Sequence, residues 1–271
     1  MSWFEAGWLG VLQGLTEFLP VSSSAHQLVW SRLAGWGDPG AAFTAVTQIG
    51  TEAAVLVYFR HDLWRLFTAL LRSIRDRVIH DDEQRTAWFV VVGSLPIMVL
   101  GFLGKDIIEG GARNLVIVGS TLILGALLLA FADRRASGHR SLHGLTARLA
   151  LGLGLGQSLA LIPGVSRSGA TISIALLLGF TRIAATRFSF LLAIPAVLVS
   201  GLYELRKIGD ETVAWGPTLL ATAVSFAVGL AIIHWLLKYV ATHTFTPFVI
   251  YRICIGSLVL LLVATGVVTA V

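Results

Sequence analysis

Two short polar clusters interrupt a chain that is otherwise strongly apolar. The first runs from Gln13 through Glu17 to Ser22, Ser23, Ser24 and His26, and the second holds Ser166, Arg167, Ser168 and Thr171 between Gly164 and Gly169. Gln13 and Glu17 are four residues apart and share one helical face. An arginine in apolar surroundings costs several kcal/mol unless an anion meets it. Its planar donor fork suits phosphate. Hydroxyls and N–H groups at a helix N-terminus complete an anion cradle. Glu17 could hold a divalent cation through its oxygens, with Gln13 assisting through water. His26 could move a proton and a neighbouring serine could attack phosphorus. Simpler readings stand beside these. Arg167 could pair with Glu17 as structural glue, the serines could only cap helices, and His26 could be an ordinary core residue. Glu52 is a second acid in an apolar stretch, with either a site role or a buried partner.

What must position these clusters is a membrane scaffold. The chain has 271 residues, 56% hydrophobic and 13% charged, with one cysteine, Cys254. A soluble domain carries about a quarter charged residues, and a lone cysteine excludes a disulfide scaffold. The net charge of +5 belongs to cytoplasmic loops and anionic headgroups rather than to nucleic acid. About 20 apolar residues span a bilayer, and five stretches qualify: Ala41–Phe59, Trp88–Lys105, Leu115–Ala132, Ala184–Glu204 and Pro247–Ala270; Pro217–Leu237 makes a sixth if Ser225 and His234 face other helices. Trp3, Trp64 and Trp88 fall near segment ends, where aromatic side chains anchor at the interface.

The two polar clusters lie in segments too short to span. Gly7–Leu19 precedes the turn Pro20–Ser24, and Ala147–Ile162 precedes the turn Pro163–Gly169. Each predicts a re-entrant hairpin with a polar tip at depth, tolerated only where protein or a wet cavity surrounds it. If neither hairpin crosses, the connections at 60–87, 134–148, 181–187 and 238–252 carry 14 Lys/Arg on one face. The other face has Arg32, Lys105, Arg113, Arg206 and Lys207. The richer face is then cytoplasmic, and both termini lie outside. The charged run Arg72–Arg85 belongs to a cytoplasmic connection.

The two hairpins also align. An offset of 144 pairs Gln13 with Gln157, Leu15 with Leu159, Ser22 with Ser166 and Ser24 with Ser168. Three spanning segments follow each hairpin, so the second unit enters from the opposite face. The expected architecture is an all-α polytopic membrane protein, one domain over 1–271, with an inverted repeat. Repeat one covers about 1–133 and repeat two about 147–271, with basic connections at about 60–87 and 134–146. Broken helices at matching places in two halves point to a binding site.

Familiar soluble phosphate motifs are missing: there is no G-x-x-x-x-G-K-[ST] loop. Leu260, rather than arginine, lies six positions after Cys254, so a cysteine-phosphatase loop is excluded. Ser173 lies six positions after Arg167, which excludes the histidine-based signature of haloperoxidase-like lipid phosphatases.

The stretches Gln13-Gly-Leu-Thr-Glu17-Phe-Leu-Pro-Val-Ser22-Ser23-Ser24-Ala25-His26 and Pro163-Gly-Val-Ser166-Arg167-Ser168-Gly-Ala-Thr171 resemble the two signatures of the undecaprenyl-diphosphate phosphatase, or bacitracin-resistance, family. The similarity extends along nearly the whole chain, including Leu191–Ala196. The resemblance implies hydrolysis of undecaprenyl diphosphate to undecaprenyl phosphate and inorganic phosphate, recycling a lipid carrier for peptidoglycan synthesis. It also implies Mg²⁺ or Ca²⁺ dependence and a site in the bacterial plasma membrane opening mainly to the outer face. Carried over by position, Glu17, Ser23, His26 and Arg167 are catalytic, with Ser23 the candidate nucleophile. Ser22, Ser24, Ser166, Arg167, Ser168 and Thr171 grip the diphosphate, and Glu17, with Gln13, holds the metal. Gln13 stands where the family often has glutamate, which puts a two-carboxylate metal site in doubt, and Ala25 replaces a common glycine. Membrane lipid is the other expected partner, and a homodimer is an open option. A flippase for polyprenyl phosphate would use the same inverted repeat, but a binding site alone needs no nucleophile or proton carrier.

Overall fold

The structure is a computed structural model, and it describes residues 1–37, 40–104, 114–207 and 214–270; the side chains of 41, 143, 200 and 202–207 are not described. Lys105 and Arg113, expected on the outer face, lie outside the described residues. Eleven α-helices are found among the described residues. They are α1 Trp3–Phe18, α2 Ser23–Leu33, α3 Ala41–Tyr58, α4 Arg60–Asp76, α5 Asp82–Leu103, α6 Leu115–Arg135, α7 Ala147–Ser158, α8 Arg167–Leu177, α9 Arg182–Lys207, α10 Trp215–Tyr239 and α11 Thr246–Ala264.

Five of them (α5, α6, α9, α10 and α11) are long and apolar enough to cross a bilayer, and α3 with α4 makes a sixth candidate bent by 78°. The protein is thus a multi-pass, all-helical membrane protein. Where the sequence promised a cytoplasmic connection, residues 60–76 continue as helix. α4 packs on α5 and leaves Trp64, Phe67, Leu71 and Ile74 exposed. Those residues recur at i, i+3, i+7 and i+10, the stripe of a helix lying along an interface.

α1, α2, α7 and α8 are the short helices. Ser2 and Glu5 form a capping box at the start of α1, and the helix stops at Phe18 because Leu19 precedes a proline and is extended. α7 starts on a Thr146 cap and decays through a 3₁₀ turn, Leu159–Leu161. Ile162, again before a proline, is extended. The helices that follow each turn begin at residues of positive φ: Ser22 at 75° and Ser166 at 73°. A non-glycine residue in that region costs about 1–3 kcal/mol and persists only where its surroundings hold it.

Close backbone contact fixes the broken helices against their neighbours. α1 packs on α10 and α7 packs on α5. A Cβ on Gly10 would come within 2.5 Å of the Ala221 carbonyl oxygen, and one on Gly154 within 2.0 Å of that of Gly93. Small residues allow such approach where lipid gives no hydrophobic drive. Pro195 interrupts α9, and the carbonyl of Leu192, one turn earlier, accepts from Ser94 Oγ at 3.0 Å and Gln157 Nε2 at 3.5 Å. These bonds tie α9 to Ser94 of α5 and Gln157 of α7 beside the proline.

Candidate active site

The two tips meet at the carboxylate of Glu17. At the end of α1 this side chain is only 9% exposed. Arg167, the first residue of α8, donates from Nη2 to Glu17 Oε1 at 2.7 Å. Ser23, the first residue of α2, donates from Oγ to Glu17 Oε2 at 2.7 Å. Gln13 Nε2, one turn back on α1, donates to the same Oε2 at 3.1 Å. Gln13 is itself oriented by Gln27, whose Nε2 donates to Gln13 Oε1 at 2.7 Å. The ion pair foreseen as structural glue is therefore formed. It leaves Arg167 Nη1 buried with no hydrogen-bond partner.

This pair heads a small cavity between α3 and α9. Glu17, Thr51, Glu52 and Arg167 make its polar end. Phe18, Val55, Leu56, Phe190, Ala193, Ile194, Val197 and Leu198 make the apolar remainder. Glu52, whose role the sequence left open, lies in the same cavity as Glu17, and its Oε1 is buried without a partner. The apolar wall includes Ala193 and Ile194 from the segment Leu191–Ala196.

The other candidates divide. Ser168 Oγ donates across the tips to the Leu19 carbonyl at 3.0 Å, and Ser166 Oγ caps α8 by accepting from Gly169 N at 3.2 Å. Ser22 makes no such cap; its Oγ lies 3.4 Å from that of Ser24, which is exposed. Thr171 is fully buried and donates back to the Arg167 carbonyl at 2.9 Å, so its hydroxyl is spent within α8. His26 is engaged at both ring nitrogens: Nδ1 lies 2.7 Å from the Ser22 carbonyl and Nε2 2.8 Å from Tyr251 Oη. Since the carbonyl only accepts, Nδ1 carries the proton and Tyr251 donates to Nε2. None of these bonds reaches Glu17 or Ser23.

Sequence reasoning missed Gln27 and Tyr251, which orient Gln13 and His26, and it misplaced Arg252. Counted with a cytoplasmic loop, Arg252 is instead 0% exposed inside α11 and donates to carbonyls of both tips. The reasoning applied to Arg167, a cation alone in an apolar run, would have singled it out had the span from Pro247 taken precedence over the loop.

The fold and site together define a multi-pass membrane protein whose broken helices present an arginine, a carboxylate and a serine at the head of an apolar cavity. The family described as "Bacitracin resistance protein BacA" matches residues 6–258, and the chain belongs to that family. It is 54% identical to the undecaprenyl-diphosphatase of a Nocardioides species, over 97% of each chain. It is 52% identical to undecaprenyl-diphosphatase 2 of Streptomyces coelicolor, over 98% of this chain and 97% of the relative. The undecaprenyl-diphosphatase of Thermobifida fusca is 49% identical over 99% of this chain and 93% of its own length.

Proposed function

We infer that the chain is an undecaprenyl-diphosphatase, hydrolysing undecaprenyl diphosphate to the monophosphate and inorganic phosphate. Family membership gives the substrate, and one observation carries the chemistry. A single buried carboxylate is held by a serine hydroxyl on one oxygen and a guanidinium on the other, at the polar end of an apolar cavity. A nucleophile bonded to its base, with the base oriented by a third group, is the arrangement that activates a hydroxyl.

The cavity cannot enclose a polyprenyl chain, so the diphosphate sits at its polar end and the tail leaves between α3 and α9 into lipid. Arg167, through Nη1, neutralises phosphate charge in the transition state. Ser23 Oγ attacks the terminal phosphorus as its proton passes to Glu17, and the bridging P–O bond breaks to release undecaprenyl phosphate. Glu17 passes that proton to the departing phosphate oxygen and, ionised again, takes one from the water that cleaves the phosphoserine; this proton returns to Ser23 Oγ as inorganic phosphate leaves.

The donors present fit a hard divalent cation such as Mg²⁺ or Ca²⁺. Glu52 Oε1 is a buried oxygen without a partner beside Glu17. Gln13 turns its amide nitrogen toward Glu17 and its oxygen toward Gln27, while Glu52 supplies a second carboxylate to the cavity lining. No group of three or more His, Cys, Asp or Glu could hold a metal among the described residues, and substrate oxygens and water would complete the coordination. Such an ion supplies charge neutralisation on the diphosphate.

The inverted repeat is part of this reading. It is supported by the 144-residue offset, by the paired positive-φ serines, by Gly10 and Gly154 at matching close contacts, and by the pairing of α1 with α10 and α7 with α5. It sets two tips facing each other from opposite membrane faces. Thirteen Lys and Arg remain on the side read as cytoplasmic once Arg252 is removed, and family membership is what suggests that the site opens to the outer face.

The deciding measurement is phosphate release from undecaprenyl diphosphate by purified protein in detergent, with and without a chelator. Release without any gradient, lost on chelation and in Arg167→Ala, is expected. No release from folded protein would overturn the enzymatic reading and favour a carrier.

A further inference from the structure

Arg252 is the largest of the fully buried side chains among the described residues. It makes no ion pair with any described carboxylate, and its charge is met by carbonyl oxygens alone. Nη1 donates to the Pro20 carbonyl at 3.1 Å, in the first turn. Nη2 donates to those of Val165 at 2.9 Å and Gly164 at 3.3 Å, in the second turn, and to that of Thr121 at 3.4 Å. Nε donates to the Leu122 carbonyl on α6 at 3.2 Å. A buried guanidinium costs several kcal/mol to desolvate, and here no acid offsets that cost.

The space for the fork is kept by two glycines. A Cβ on Gly125 would lie 2.2 Å from Nη2, and one on Gly169 2.8 Å from Nη1. Where a helix breaks, carbonyls lose their partners, and both turns lie in surroundings without bulk water to replace them. One rigid planar donor set answers both turns at once. The residues that follow those turns are Ser23 and Arg167, the two that grip opposite oxygens of Glu17.

We propose that Arg252 is a positioning residue for the phosphatase reaction: it ties the turn before α2 to the turn before α8, so that Ser23 and Arg167 meet the same carboxylate. This rests on the hydrolytic reading above. Arg252 touches neither Glu17 nor the described cavity lining, and it acts through the backbone of the tips. Misplacing reacting groups by about 1 Å can cost about 100-fold in rate, while grip on the diphosphate by Arg167 survives. The expected signature is therefore a fall in kcat with little change in KM.

The experiment measures kcat and KM for detergent-phase hydrolysis in Arg252→Met, Arg252→Lys and Gly125→Ala, with size-exclusion and thermal melting as folding controls. Arg252→Met should lose about tenfold or more in kcat with KM within about threefold of the parent. Arg252→Lys should recover part of that loss, because an ammonium still donates to carbonyls but lacks the fork. Gly125→Ala changes no tip residue, and its Cβ would crowd chiefly the guanidinium, at 2.2 Å from Nη2 against 3.2 Å from the Val165 carbonyl oxygen, so it should lower kcat less than Arg252→Met. Parental kcat and KM in folded Arg252→Met overturn the proposal, as does a loss carried by KM alone. If Arg252→Met does not fold, folded Arg252→Lys and Gly125→Ala with parental kinetics overturn it. Parent protein that releases no phosphate would instead overturn the hydrolytic reading itself.

Discussion

The two hairpin tips are built on one backbone plan and carry different chemistry. Each follows a proline with a serine of positive φ, and each sets two serine hydroxyls 3.3–3.4 Å apart. Position for position, Ser23 corresponds to Arg167, since both open the helix after the turn. At that shared place one tip offers a hydroxyl and the other a fixed cation, and both reach Glu17 at 2.7 Å. The remaining side chains diverge further. In the first tip Glu17 and Gln13 are wired to each other and onward to Gln27. In the second, Ser166, Ser168 and Thr171 all bond backbone. On the proposed reading, two tips of like backbone serve as a reacting half and a holding half, and the carboxylate between them belongs to the reacting half.

The largest expected effects break that division at its centre. Glu17→Gln removes the base and the anion that Arg167 meets, and kcat should fall by about 10³-fold or more. Arg167→Ala should be as severe, because a carboxylate left buried and unpaired is costly and the phosphate loses its guanidinium. Phosphate release near the parental rate from either folded variant would end the assignment. Next comes Ser23→Ala, with about 10²- to 10³-fold expected in kcat. Set beside it, Ser168→Ala should cost only several-fold, through the lost bond to the Leu19 carbonyl. Equal losses in the two would erase the distinction between tips, and full activity in Ser23→Ala would pass the nucleophilic role to His26 or water.

Much of this was legible before any coordinates. Composition and run length gave the spans, and proline with glycine gave the turns, because both signals are local. The pairing of Glu17 with Arg167 stood among the alternatives, because an isolated charge in hydrocarbon must find an opposite, either a phosphate or a carboxylate. Partners that depend on tertiary packing were not legible. Nothing near His26 in sequence points to Tyr251, 225 residues away, and a tyrosine in a span is unremarkable alone. Thr171 shows what a motif position leaves out: it suggests a phosphate donor, and only the helical geometry reveals that the hydroxyl also bonds the Arg167 carbonyl. Glu52 needed the packing of α3 on α9 to place it in the cavity with Glu17.

Glu52 sharpens the comparison on the cation side. If the reacting half recruits its second oxygen ligand from Glu52 on α3 rather than from the Gln13 amide, Glu52→Gln should shift the Mg²⁺ or Ca²⁺ concentration for half-maximal activation upward by about tenfold. At saturating cation, kcat should recover to within a few-fold of the parent. The parallel change Gln13→Glu in the Glu52→Gln background should bring the midpoint partly back. An unchanged midpoint in Glu52→Gln would leave Glu17 as the sole protein carboxylate on the ion.

The smallest effect is expected at Thr171, and it tests the holding half by what it does not do. Its hydroxyl is fully buried and bonded within α8, so Thr171→Val keeps the shape and removes a bond that helices make without cost elsewhere. Two consequences compete there. Losing a neutral hydrogen bond of this kind costs about 0.5–1.5 kcal/mol of stability, while a hydroxyl that gripped the diphosphate would appear in KM. The expected result is a modest drop in melting temperature with kcat and KM within about twofold of the parent. A KM raised tenfold with unchanged melting would mean that α8 turns this hydroxyl toward the substrate during turnover. The second tip would then contact the diphosphate through more than its arginine, and the contrast between the two tips would narrow to Glu17 and Ser23 alone.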